Sequence, residues 1–208
     1  MPVVVAFGDS NTWGCDPATA ARFPRDVRWT GVMARELGSN FSVIEEGLSG
    51  RTTVFDDPIE PGRRGADYLP PCLLSHAPLD LLVIALGCND LKARFSASPG
   101  DSAFGAERLI LMARAEPVGP QDAPPRILLV APPPLATLTG FAEMFEGATE
   151  KSRLIGARYR EVAKLNGVGF VDAGAFIACS PLDGIHYAPD QHAILGRAIA
   201  EAARMTLA

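Results

Sequence analysis

Five near-continuous apolar runs of strand length constrain this chain more than any other feature. They cover residues 3–7, 41–45, 81–86, 127–131 and 168–172. Runs that are near-continuously apolar, rather than alternating, point to strands buried on both faces, and a parallel sheet is the arrangement that buries them so. Segments with helical spacing lie between them, at residues 28–37, 66–76, 102–115 and 149–166, with a last one at 189–205. Gly38 and Gly167 are stop signals for two of these, and Pro189 suits a helix's first turn. Pro70-Pro71 predicts an interruption of the second helix. Strand–helix alternation with right-handed crossovers predicts an α/β protein, a three-layer α/β/α sandwich around a five-stranded parallel sheet of flavodoxin-like type. A chain of 208 residues fits one domain, residues 1–208.

Composition narrows the function classes. The net charge is -5, and no basic block or basic–aromatic interleaving occurs, which argues against a nucleic-acid partner. No apolar run reaches membrane-spanning length, so no membrane role is expected. The N-terminus runs from Met1-Pro2 directly into a strand without the pattern of a signal peptide, which predicts a cytoplasmic protein. Cys15, Cys72, Cys88 and Cys179 are widely spaced and form no C-x-x-C pair. They read as reduced, buried thiols, and neither a metal nor a cofactor is expected.

The chemistry concentrates where strands end. The first strand stops at Gly8-Asp9-Ser10, which places a serine hydroxyl at the sheet's carboxyl edge, where α/β proteins bind ligands. Read alone, this is equally a turn whose polar side chains cap the next helix. Gly47-Leu48-Ser49-Gly50 follows the second strand, and Gly50 can turn a backbone N–H toward a developing oxyanion. Gly87-Cys88-Asn89-Asp90 follows the third, and the Asn89 amide offers two uncharged donors. Each is also an ordinary turn sequence. Asp183-Gly184-Ile185-His186 sets a carboxylate three residues from an imidazole, close enough in a turn to fix the ring's tautomer. Of three histidines, His76 and His192 fall in helical segments, so His186 is the best-placed base for Ser10. If the first three strands are neighbours, Ser10, Gly50 and Asn89 lie side by side.

These blocks, in this order, resemble the SGNH (GDSL-type) hydrolase superfamily. Residues 8–14, 22–38, 43–57, 66–90, 131–136 and 183–187 are similar to its bacterial arylesterase/acyltransferase subgroup. The resemblance implies the SGNH hydrolase fold, a Ser10–His186–Asp183 catalytic triad and an oxyanion hole made by Ser10, Gly50 and Asn89. It implies a serine esterase for short-chain acyl and aryl esters, with water or an alcohol as acyl acceptor, acting as a homo-octamer. Residues lining the pocket differ among subgroup members, and Asn11, Cys15 and Met144 are candidates for such differences here.

Other residues near these blocks carry weaker expectations. Trp13, just past the nucleophile, walls an acyl pocket or packs in the core. Phe141, Met144 and Phe145 form an apolar lid, a surface patch or a subunit contact. Ile185 sits between acid and base and faces substrate. Arg51 and Lys92 read as solvated charges. The frame Gly-x-Ser-x-Gly of α/β-hydrolases is absent around Ser10. A non-catalytic flavodoxin-like binding module would lack both a P-loop and a use for His186. Within the superfamily, a carbohydrate acetylesterase or a thioesterase/lysophospholipase is the alternative.

Overall fold

A computed structural model describes all of residues 1–208. The five strands are β1 (Val3–Gly8), β2 (Ser42–Gly47), β3 (Leu81–Ala85), β4 (Arg126–Ala131) and β5 (Gly169–Asp172). They form one parallel sheet in the order β2-β1-β3-β4-β5. Six helices connect or flank them: α1 (Ser10–Trp13), α2 (Trp29–Leu37), α3 (Gly65–Ser75), α4 (Pro99–Ala115), α5 (Ala148–Asn166) and α6 (Pro189–Leu207). Helices α2 and α6 pack together, while α3, α4 and α5 pack in series, so helical layers cover the sheet. The expected α/β/α sandwich is observed. No helix is long and apolar enough to cross a membrane.

The central apolar runs form strands because burial rewards them on both faces, while the edge strands β2 and β5 are only partly buried. Val4, Val5, Ala6 and Phe7 of β1, and Leu81, Leu82, Val83 and Ile84 of β3, have no solvent exposure. Each such side chain contributes about 1.5–3 kcal/mol for Val- to Leu-sized groups. In α5 the buried Ile155, Tyr159, Val162 and Ala163 recur at steps of four, three and one, giving a single buried stripe. Gly167, at φ 57°, ends that helix.

Two helix expectations are corrected. Helix α3 is continuous through Pro70 and Pro71. The prolines remove two backbone donors, but Leu69, Cys72 and Leu73 are fully buried, and that packing overrides the local cost. Helix α4 starts before residue 102, at Pro99, because Ser98 and Asp101 form a reciprocal capping box.

The sheet's carboxyl edge is tightly built. Gly47, the last residue of β2, pairs with Gly8, the last of β1. A Cβ on Gly47 would lie 2.2 Å from the Trp13 nitrogen and 2.6 Å from the Thr12 carbonyl carbon, both backbone atoms of α1. Gly47→Ala therefore has to push β2 away from the helix that carries Ser10. It should lower stability by about 1–3 kcal/mol, read from the midpoint of urea unfolding at unchanged slope.

Candidate active site

Residue 10 is where β1 becomes α1. Asp9 caps that one-turn helix, its carboxylate accepting from the Asn11 N–H at 3.0 Å. The cap holds Ser10 at the first helical position, with its hydroxyl at the sheet's carboxyl edge. The chain segment before α6 approaches from the far end of the sequence. There the His186 Nε2 lies 2.9 Å from Ser10 Oγ, and His186 Nδ1 lies 2.6 Å from Asp183 Oδ2. The other Asp183 oxygen accepts from the Ile185 and His186 N–H groups, each at 2.9 Å. The carboxylate is thus fixed on both sides, and it fixes the ring.

Burial sets the electrostatics. It works against charge on Asp183, but the hydrogen bonds from His186 and the two backbone N–H groups outweigh it and hold the carboxyl below its usual range. For His186, burial favours the neutral ring. The Asp183 carboxylate and the neighbouring Cys15 sulfur oppose it and raise the imidazole above its ordinary value of 6.5. Burial pushes the Asp9 carboxyl up to about 6, with the Asn11 N–H, His186 and Arg51 pulling the other way.

Two further residues with hydrogen-bond donors, Asn89 and Gly50, line the same cavity as Ser10. The Asn89 amide nitrogen is 3.4 Å from Asp9 Oδ2, a contact that orients one of its hydrogens and leaves the other toward the cavity. Gly50 follows β2 in a turn at φ 79°, a backbone conformation that favours glycine. No protein carbonyl accepts from its N–H. A cavity of about 300 Å³ opens onto Ser10, His186, Gly50 and Asn89. Its lining includes the apolar residues Trp13, Phe141, Met144, Phe145 and Ile185 and the polar residues Ser49, Glu60 and Lys92. The Phe141 ring meets His186 edge-on at 6.1 Å.

The fold brings together Ser10, Asp183, His186, Gly50 and Asn89, and it places Trp13, Ile185, Phe141 and Phe145 on the cavity wall. Asn11 is not on that wall. It is buried behind it, and its amide donates to the Ile185 carbonyl at 3.4 Å.

Both charges expected in solvent are buried, at 3% exposure for Arg51 and 1% for Lys92. Arg51 lies 4.2 Å over the Phe7 ring and donates to the Gly8 and Glu46 carbonyls. Lys92 is neutralised by Asp57 at 3.1 Å and Glu60 at 2.6 Å, with Arg94 completing the cluster. The partners sit in the segment 56–65, more than thirty residues earlier, so local sequence gave no sign of the pairing. One group of metal-ligand type lies outside the cavity. Cys72, His76 and Glu46 present side-chain ligand atoms within 4.8 Å of one another. The signal was the Cys72-x-x-x-His76 step on a helix, which linear spacing rules for zinc motifs pass over.

A model of the GDSL-like lipase/acylhydrolase family matches residues 6–194. A search of curated protein sequences returned no match. Among solved structures, the M. smegmatis aryl esterase is 43% identical, with a TM-score of 0.94 over 99% of both chains. A carbohydrate acetylesterase from Sinorhizobium meliloti is 40% identical, with the same TM-score and coverage. A lipolytic protein of the G-D-S-L family from Veillonella parvula, at 12% identity, a TM-score of 0.71 and 97% coverage of both chains, shares the fold.

The raised pKa of His186 has a measurable consequence. Were the ring to take a proton from Ser10, it would have to be neutral, and kcat/KM should then rise with pH through a midpoint above 6.5. Asp183→Asn removes the charge that favours the imidazolium. It should move that midpoint to lower pH and cut kcat by up to about 10⁴-fold. A midpoint that stays put in this variant would separate Asp183 from the titrating group.

Proposed function

The chain belongs to the GDSL-like lipase/acylhydrolase family and is a serine ester hydrolase, and from that premise we propose that Ser10, His186 and Asp183 carry out acyl transfer from short-chain acyl and aryl esters. The observation that supports this reading most is the unbroken relay from Asp183 Oδ2 through His186 to Ser10 Oγ, at 2.6 and 2.9 Å, opening into the cavity.

A serine hydroxyl is a weak nucleophile until a base takes its proton. His186 Nε2 removes that proton as Ser10 Oγ attacks the ester carbonyl. Asp183 holds the proton on Nδ1 and stabilises the imidazolium. The negative charge that develops on the carbonyl oxygen is met by the N–H groups of Ser10 and Gly50 and by the Asn89 amide. These donors are fixed before substrate arrives, so little reorganisation opposes the transition state. His186 then gives its proton to the leaving alcohol or phenol. Water attacks the acyl-enzyme by the reverse sequence and releases the acid; an alcohol in its place yields a new ester.

The aromatic and aliphatic lining of the cavity, with Trp13, Phe141, Phe145 and Ile185, suits a short acyl chain or an aryl leaving group. A second reading, deacetylation of sugar esters, draws on the polar lining residues Ser49, Glu60 and Lys92 and on the similarity to the S. meliloti enzyme. The four free, buried cysteines fit a reducing compartment, and we assign the chain to the cytoplasm. Exposed Phe104, Leu154 and Leu165 on α4 and α5 supply an apolar face of the kind that self-association covers, which fits a homo-oligomer.

Ser10→Ala should abolish p-nitrophenyl acetate hydrolysis and labelling by an organophosphonate. Asn89→Ala should retain acylation but lose about 10²–10³ in kcat. Near-normal hydrolysis by Ser10→Ala would overturn the assignment. A panel of aryl acetates, acetylated sugars and acyl-CoA then separates the two substrate classes by kcat/KM.

A further inference from the structure

We infer that Glu46, Cys72 and His76 form a binding site for a zinc-like divalent cation, apart from the Ser10 cavity. Cys72 lies in α3 and His76 four residues on, just past its last turn, a spacing that stacks both side chains on one helix face. Glu46 comes from β2, next to the end of the strand. Its Oε1 already lies 2.7 Å from His76 Nε2, and the Cys72 sulfur is within 4.8 Å of both. None of the three lines the catalytic cavity.

The donor types select the ion class. A sulfur, an imidazole nitrogen and a carboxylate oxygen suit Zn²⁺ or Co²⁺ and suit Mg²⁺ or Ca²⁺ poorly, since those ions take oxygen ligands. Cys72 is fully buried, while the His76 and Glu46 side chains are 25% and 18% exposed. An ion would therefore enter from the His76–Glu46 side, with sulfur at the base of the site. Three protein ligands leave a fourth, solvent-facing position for water.

The charges close. On binding, the Cys72 S–H bond breaks, a sulfur–metal bond forms and the proton leaves to solvent; no electron is transferred. Thiolate and Glu46 carboxylate together neutralise the dication. Arg51, which donates to the Glu46 carbonyl, is a cation whose charge interacts with Glu46 and Cys72. The His76 Nε2 can bind an ion only through its lone pair, so it gives up the proton it shares with Glu46, and the ring that binds is neutral with its proton on Nδ1. The existing Glu46–His76 hydrogen bond is exchanged for two metal–ligand bonds. The ion would tie the end of α3 to β2.

Calorimetric titration of the metal-free full chain with Zn²⁺ tests the site. A His186→Ala background removes the cavity imidazole as a competing ligand. We expect one equivalent bound with micromolar or tighter affinity, release of a proton and a higher Tm. Co²⁺ in the same site should give a thiolate-to-cobalt charge-transfer band. Cys72→Ser should lose that band, and Cys72→Ser and His76→Gln should each weaken Zn²⁺ binding by about tenfold or more. If Cys72→Ser does not fold, His76→Gln, at a half-buried position, decides the matter. Absence of saturable binding, binding unchanged in His76→Gln, or a cobalt spectrum without the thiolate band would overturn the inference.

Discussion

The position of β1 governs everything built on it. This strand is buried on both faces and is hydrogen-bonded to β2 on one side and β3 on the other. Its last residue, Gly8, pairs with both Gly47 and Ala85, so three strands finish at the same level. The turns that follow carry Ser10, Gly50 and Asn89. Because strands in a parallel sheet lie about 4.8 Å apart, three groups leaving adjacent ends at one level meet in a single crevice. A slip of one residue in either pairing would turn the strand's apolar side chains over and separate the groups. Core packing and site assembly therefore rest on the same register.

Around that crevice the chain buries charge, and each charge has a physical partner. Asp183 is surrounded by donors, Lys92 by two carboxylates, and Arg51 by two carbonyls and an aromatic face. Burial holds the Asp57 carboxylate against its cost because Arg94, Lys92 and two backbone N–H groups bind it, and they keep its pKa well below the usual range. The pairs differ in purpose. The Asp183–His186 contact extends to the Ser10 hydroxyl in the cavity. The Asp57–Glu60–Lys92–Arg94 cluster holds the segment 56–65 against Gly50, whose missing side chain would approach the Glu60 carboxylate at 3.3 Å. Removing one member of such a cluster leaves the others uncompensated, which makes these clusters rigid parts of the wall.

The sheet, its strand boundaries to within a residue or two, and the strand-end blocks were legible because each has a local signature: an apolar run, a glycine turn, an acid three residues from a histidine. What was not legible depended on partners distant in the chain. The continuity of α3 through two prolines follows from burial of Leu69 and Leu73, which no propensity reports. The burial of Lys92 follows from carboxylates in another loop. Asn11 stands next to Ser10 in sequence, yet its side chain turns to the Ile185 carbonyl, because in a one-turn helix adjacent residues point in different directions. The start of α4 had a readable cap, Ser98 with Asp101, that periodicity alone placed three residues late.

The hydroxyl and the imidazole that meet in the crevice are separated by 176 positions of chain. Between them lie four of the five strands and most of the helices. A chain that lacks the segment before α6 leaves the Ser10 hydroxyl without its imidazole partner. The contact forms only when the two distant segments close that loop, so its presence reports that the whole architecture has been completed.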